Sequence, residues 1–173
     1  GGRAIVASAG GPMVSQITHS GGMHITLPLK TKNPFRIWLN GRRLARLIRQ
    51  HHVDIIHARS RAPAWSAWLA SRLTRCPFVT TFHGTYGLQG PFKRQYNSVM
   101  TRGDRVIAIS HFIADHIQKN YTVDPGRLRV IHRGVDLKLF NPFGHSPQRM
   151  IQLAKEWRLP DDLPLIIFPA RIT

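Results

Sequence analysis

His83 is the side chain in this sequence with the clearest potential for chemistry. It follows an apolar run, FVTTF (78–82), and directly precedes Gly84 in the segment FHGTYG (82–87). Imidazole can donate a hydrogen bond or carry a proton near neutral pH, and glycine allows a ligand to come close or the backbone to take a positive φ. Three interpretations of His83 are open from the residues alone: a histidine satisfied within a turn, a metal ligand, or part of a site at a strand end.

A metal site is the least favoured of these interpretations. His51 and His52 are adjacent, and His111 and His116 lie five apart rather than the four that share a helix face. The chain has one cysteine, Cys76, so it has neither a cysteine zinc cluster nor an internal disulfide. Acidic residues are scarce, and no paired carboxylates, nucleophile elbow or P-loop occurs. We therefore expect no metal and no other cofactor.

The elements that would position a site are short apolar runs, predicted to be strands, and the stretches of helical length between them. The runs are rich in Val and Ile, as is typical of strands buried on both faces, and they occupy residues 3–8, 24–29, 53–58, 78–82, 105–110, 128–132 and 163–168. The predicted helices cover residues 34–50, 62–75, 110–121 and 146–157. This alternation predicts an α/β fold with a Rossmann-like parallel sheet and helices on both faces.

Polar motifs follow four of the predicted strands. They are HARS (57–60), FHGTYG (82–87), ISH (109–111) and HRGVD (132–136). In doubly wound α/β folds, ligands bind beyond the carboxyl ends of the strands. We therefore expect these four motifs to border one cleft.

The charge balance is strongly basic, with 25 Lys and Arg against 8 Asp and Glu, a formal net charge of +17. Such a chain is attracted to nucleic acid, anionic membranes or phosphorylated small molecules. Within residues 34–50, Trp38 accompanies a series of arginines, so this helix could be a solvated face or could contact an anionic membrane. Basic residues near the loop after FHGTYG, among them Arg102, are expected to favour a phosphate-bearing substrate.

Five segments, taken in order, resemble the N-terminal half of a family-4 retaining glycosyltransferase of GT-B fold. They are VDIIHARSRAPAWSAWLA, FVTTFHGTYG, RVIAISHFIADHI, LRVIHRGVDLKLF and IIFPARIT. The resemblance implies that residues 1–145 form an N-terminal, acceptor-side domain without its first strand and glycine-rich loop. It further implies that residues 146–173 are a linker helix and the first strand of a C-terminal sugar-nucleotide-binding domain. We accordingly expect a fragment, truncated at both ends and inactive by itself.

The resemblance also implies roles for individual residues. His83 matches the histidine that reaches the donor sugar and is predicted to be catalytic, whereas Arg171 matches an arginine that contacts the donor diphosphate. Arg133 replaces the asparagine of an Asn-Gly-Val-Asp segment, and Arg59 stands where the family often has a second histidine. The residues predicted to line the cleft are Arg59, Ser60, Gly84, Ser110, Gly134 and Asp136.

The function implied by this resemblance is transfer of a hexose, with retention, from a nucleotide-sugar donor to an envelope lipid, a polysaccharide or a similar acceptor. We expect a cytoplasmic protein at the inner face of the membrane, with the basic helix 34–50 as its peripheral contact. A non-catalytic or epimerase-like domain of the same fold is the main alternative. A basic nucleic-acid-binding domain is a further one, although no recognition-helix, RNP or OB pattern supports specific binding.

Overall fold

The computed structural model describes residues 2–141, 143–144, 146–160 and 163–168. The chain divides into two compact units, Gly1–Arg133 and Gly134–Thr173. Each unit is described by itself below. The assignment of residues 1–145 and 146–173 to two domains of a larger fold stays a prediction.

All the strands of the first unit pair in parallel. They are β1 (Ile5–Ser8), β2 (Met23–Thr26), β3 (Ile56–Ala58), β4 (Phe78–Phe82), β5 (Arg105–Ala108) and β6 (Leu128–Val130). They form a two-stranded sheet, β1-β2, and a four-stranded sheet, β3-β4-β5-β6. The predicted α/β class with parallel strands and flanking helices is therefore confirmed.

Helices connect the strands, as a parallel sheet requires. They are α1 (Val14–His19), α2 (Pro34–Gln50), α3 (Arg61–Thr74), α4 (Pro91–Asn97) and α5 (His111–Asn120). Two of them begin at side-chain caps that satisfy free backbone N–H groups. Asn33 Oδ1 accepts from Arg36 N at 3.1 Å before α2, and Ser110 Oγ accepts from Ile113 N at 3.3 Å before α5.

The main core of this unit packs around β4 and β5. Phe78, Phe82 and Val106 from these strands are almost fully buried, together with Met100 and Ile117. Burying a side chain of this size contributes about 1.5–3 kcal/mol relative to leaving it exposed. The four-stranded sheet is thus firmly held where the predicted site residues follow its strands.

Helices α2 and α3 lie unusually close together. A Cβ added at Gly41 would come within 2.6 Å of Leu69 Cδ2, so glycine is needed for this approach. Ser66 Oγ also donates across the helix pair to the Ile37 carbonyl at 3.1 Å. The pair therefore forms one tightly packed face of the unit.

Strands β1 and β3 each pair on one side only, within the part of the chain that the structure describes. A cavity of about 870 Å³ is lined by residues of both strands. Apolar side chains of α2 and α3, such as Leu47 and Ala67, complete much of its wall. The two sheets of the unit thus face a common space instead of forming one continuous sheet.

The second unit contains helix α6 (Pro147–Trp157), which begins at Ser146, as predicted. Ser146 Oγ accepts from Arg149 N at 3.3 Å. The prediction of a strand at residues 163–168 is wrong, because these residues have no strand structure and Ile166 is 98% exposed. A strand needs a hydrogen-bonded neighbour, and no other strand is present among the residues of this unit that the structure describes.

Candidate active site

His83 directly follows β4, and two guanidinium groups contact its ring. Arg59, which follows β3, places Nε 3.2 Å from His83 Nε2. Arg133, which follows β6, places Nη2 2.9 Å from His83 Nδ1. Because parallel strands end at one edge of the sheet, side chains from three separate strand ends meet at this histidine.

The surroundings of His83 favour its neutral form. Partial burial lowers the pKa of His83, and the positive charges of Arg59 and Arg133 and the nearby His57 lower it further. A neutral imidazole has a single unprotonated nitrogen, so it can accept a hydrogen bond from only one of the two arginines. The other guanidinium then has N–H donors to offer to an anionic ligand.

A second contact between β3 and β4 lies next to the first. His57 Nε2 and Thr81 Oγ1 are 2.7 Å apart, and partial desolvation followed by the charge of Arg59 lowers the pKa of His57. Side chains two residues apart in a strand point to the same face. The pair His57–Thr81 and the pair Arg59–His83 are therefore successive contacts on one face of the sheet.

The loop after His83 is tied to the rest of the unit through Asn97. The fully buried Asn97 amide donates to the Gly87 carbonyl at 3.1 Å, and Asn97 Oδ1 accepts from Arg61 Nη1 at 2.8 Å. The Arg61 guanidinium also lies 4.5 Å from the ring centre of Tyr86, and that ring packs at 5.1 Å on Phe82. Arg61 and Asn97 thus position the loop that begins directly after His83.

Of the predicted cleft residues in the first unit, Arg59 contacts His83 through its side chain. Ser60 is exposed and precedes α3 without making a side-chain cap, while Ser110 is occupied as the cap of α5. Gly84 has an ordinary φ, and a Cβ there would meet nothing within 4 Å. The space beside Gly84 is therefore open, although the positive φ considered for it is absent.

Three predicted residues belong to the second part of the chain. In the second unit, Asp136 Oδ1 accepts from the backbone N–H groups of Lys138 at 2.9 Å and Leu139 at 3.2 Å, which stabilises a turn. Gly134 lies in the same unit, and Arg171 lies outside the described residues. The assignment of Gly134, Asp136 and Arg171 to the site stays a prediction.

Sequence reasoning missed Arg133 as a partner of His83. The HRGVD motif indicated a strand-end position, but not that its arginine reaches across β5 to the end of β4. Arg102 packs against aromatic rings, and its predicted attraction for a phosphate-bearing substrate stays a prediction. Its guanidinium stacks over the rings of Trp65 and Trp68 at 4.8 and 4.6 Å.

Metal-ligating side chains do not cluster in the described part of the chain, where no three His, Cys, Asp or Glu residues converge. His111 and His132, at the ends of β5 and β6, approach each other with ring centres 5.8 Å apart. The absence of a metal cofactor stays a prediction. None of the helices that the structure describes has the length and apolar composition needed to cross a bilayer.

Comparison with known families shows that residues 2–139 match the model of Glycosyltransferase Family 4. D-inositol 3-phosphate glycosyltransferase from Streptomyces coelicolor is 26% identical over 144 residues, which cover 72% of this chain and 32% of that protein. The enzyme of the same name from a Nocardioides species is 32% identical over 74 residues, covering 43% of this chain and 15% of that protein. The chain thus spans about a third or less of these curated relatives.

Solved glycosyltransferase structures superpose on this chain and have a similar fold. A glycosyltransferase from Rickettsia africae superposes with a TM-score of 0.83 and 38% identity, over 99% of this chain and 45% of that one. Anabaena HepE in complex with UDP-glucose superposes with a TM-score of 0.68 and 18% identity, over 90% of this chain and 42% of that one. The likeness to HepE concerns the fold alone.

Proposed function

Because the chain belongs to glycosyltransferase family 4, we propose that the protein transfers a hexose from a nucleotide-sugar donor, with retention. We further propose that the acceptor is an envelope lipid, a polysaccharide or a similar molecule, and that transfer takes place at the cytoplasmic face of the membrane. Solved structures of similar fold include one in complex with UDP-glucose. The curated relatives carry glycosyltransferase names.

The observation that carries this proposal is the contact of two guanidinium groups with the His83 imidazole. Arg59 and Arg133 bring two positive charges to His83, and the histidine resists protonation because burial and both charges lower its pKa. A nucleoside diphosphate gains negative charge as it leaves the sugar. Fixed N–H donors aimed at that charge stabilise the transition state more than the ground state.

We assign His83 to the sugar and the arginines to the phosphates. A neutral imidazole can exchange a hydrogen bond with a sugar hydroxyl, whereas a guanidinium can hold phosphate oxygens in a bidentate contact. We also propose that Arg171 binds the donor diphosphate, as the family resemblance implies. The arginines supply the positive charge that a metal would otherwise provide, and we accordingly propose no metal cofactor.

The test is turnover of UDP-glucose by the complete gene product, measured as release of UDP. His83→Ala should lower turnover about 100- to 1000-fold, the usual effect of removing one transition-state hydrogen bond. His19→Ala is the matched control, because the His19 ring bonds to the Ser15 carbonyl within its own helix. We expect residues 1–173 expressed alone to be inactive.

Two outcomes would contradict the proposal. Wild-type turnover in His83→Ala would remove the histidine from the reaction. Binding of nucleotide sugars without any transfer, across the common donors, would favour the non-catalytic or epimerase-like alternative.

A further inference from the structure

The Tyr86 side chain closes the turn that begins at His83. Its ring centre lies 5.1 Å from that of Phe82, the residue that directly precedes His83. Phe82 is fully buried at the end of β4, so it gives the Tyr86 ring a fixed support. The residues between the two rings, His83 to Thr85, therefore form a short turn with both ends fixed.

One segment at the end of β3 contacts this turn at two points. Arg59 reaches the His83 ring, with Nε 3.2 Å from Nε2. Two residues further along the chain, the Arg61 guanidinium lies 4.5 Å from the centre of the Tyr86 ring, a distance at which a cation is attracted to an aromatic face. Two arginines of a single segment thus hold the first and the last residue of the turn.

The contact between Arg61 and Tyr86 is itself fixed by buried neighbours. Arg61 Nη1 donates to Asn97 Oδ1 at 2.8 Å, and the Asn97 side chain is fully buried. The Tyr86 side chain is half-buried. Burial raises the pKa of the Tyr86 phenol, while the charge of Arg61 and the backbone of His83 lower it. The phenol therefore lies close both to Arg61 and to the start of the turn.

We propose that Tyr86 is a positioning residue: held by Arg61, it keeps the His83 ring beside Arg59 in the orientation that the reaction requires. Such positioning matters because a displacement of about 1 Å can slow a reaction about 100-fold. Tyr86 acts through His83 and does not touch the substrate. The catalytic consequence rests on the proposed sugar transfer, whereas the environment of the His83 ring can be measured without it.

The test uses the complete gene product and two measurements, titration of the His83 ring by NMR and turnover of UDP-glucose. In Tyr86→Leu the ring that Arg61 contacts is absent, so the turn should lose its anchor. The His83 ring should then move away from Arg59, and its pKa should rise toward the ordinary value of 6.5. We expect kcat to fall about 10- to 100-fold and KM for UDP-glucose to change less than about threefold, because the lost positioning acts in the transition state.

Two further variants identify which part of the contact acts. Tyr86→Phe keeps the ring on Phe82 and beside Arg61, so it should keep the lowered pKa of His83 and the wild-type kcat. Arg61→Gln also leaves the ring on Phe82 and retains a donor for Asn97 Oδ1, so the fold should persist. It should nevertheless raise the pKa of His83 as Tyr86→Leu does. Arg61 is not among the charges that lower this pKa, so such a rise would report a movement of the ring.

The matched control is Tyr96→Leu. The Tyr96 ring lies 6.0 Å from the same Arg61 guanidinium, but it belongs to α4 and lies outside the turn. This variant should leave both the pKa of His83 and kcat unchanged.

Three results would overturn the proposal. An unaltered pKa of His83 in either Tyr86→Leu or Arg61→Gln would show that the contact does not orient the ring, even if turnover fell. A rise of the same size in Tyr96→Leu would show a general loosening around Arg61. Equal effects of Tyr86→Phe and Tyr86→Leu would assign the role to the phenol hydroxyl instead of the ring.

The two measurements also separate this proposal from the proposed function. If the wild-type protein transferred no sugar but the pKa of His83 changed as expected across the variants, the positioning of the ring by Tyr86 would stand. The proposed sugar transfer would then be the part that fails.

Discussion

The bridge through Asn97 makes a quantitative prediction for the loop that follows His83. In Asn97→Ala, the half-buried Arg61 loses its side-chain acceptor at 2.8 Å and the Gly87 carbonyl loses its donor at 3.1 Å. A hydrogen bond to a charged group contributes about 1.5–3 kcal/mol and one between neutral groups about 0.5–1.5 kcal/mol. Because Arg61 can regain part of its hydration, we expect the free energy of unfolding to fall by about 2–4 kcal/mol.

Urea denaturation measures this loss. With a slope near 2 kcal/mol per molar urea, the midpoint should fall by about 1–2 M. Amide hydrogen exchange should also accelerate in residues 84–90, since their link to α4 is gone. Asn120→Ala is the control, because among the described residues the Asn120 amide bonds to His116, in its own helix. A loss for Asn97→Ala no larger than that of the control would refute the bridging role.

Two other predictions concern the same region. The pKa of His83 is lowered in the folded protein. As pH falls, the His83 ring therefore takes up a proton at a higher pH in the unfolded chain than in the folded one. The contribution of neutral His83 to stability is complete above its ordinary pKa of 6.5 and is lost as pH drops through the folded value. Between the folded pKa of His83 and pH 6.5, the melting temperature of His83→Gln should therefore depend less on pH than that of the wild-type protein. An unchanged pH dependence would contradict the lowered pKa of His83. Separately, a Cβ at Gly103 would lie 2.6 Å from the Arg105 carbonyl oxygen. Gly103→Ala should therefore lower the free energy of unfolding by about 1–3 kcal/mol, whereas Gly84→Ala, with open space around it, should leave urea denaturation unchanged.

The sequence was most informative where local chemistry decides structure. Helix α2 begins and ends at the predicted residues, because Asn33 caps it and Pro34 suits the first turn. Ser110 and Ser146 cap helices as expected. The parallel class was predicted from continuous apolar runs, a pattern typical of strands in parallel sheets.

Prediction failed where the result depends on distant neighbours. Residues 163–168 have a strand-like composition, but composition cannot provide the hydrogen-bonded neighbour that a strand needs. Arg133 reaches His83 across β5, and this contact depends on a strand order that local patterns do not contain. His83 was identified correctly as a strand-end residue and Arg59 was predicted to line the same cleft, whereas the contact of Arg133 with His83 was visible only in three dimensions.

The strand edges that face the cavity between the two sheets also affect how the protein behaves at high concentration. In the part of the chain that the structure describes, β1 and β3 each pair on one side only, and the other edge of each is a template for strand addition by an extended chain, including another copy. The net charge of +17 opposes such association at low ionic strength. Salt shortens the range of this repulsion to about 8 Å near physiological strength. Added salt should therefore promote self-association of residues 1–173 even as it weakens their contacts with anionic partners.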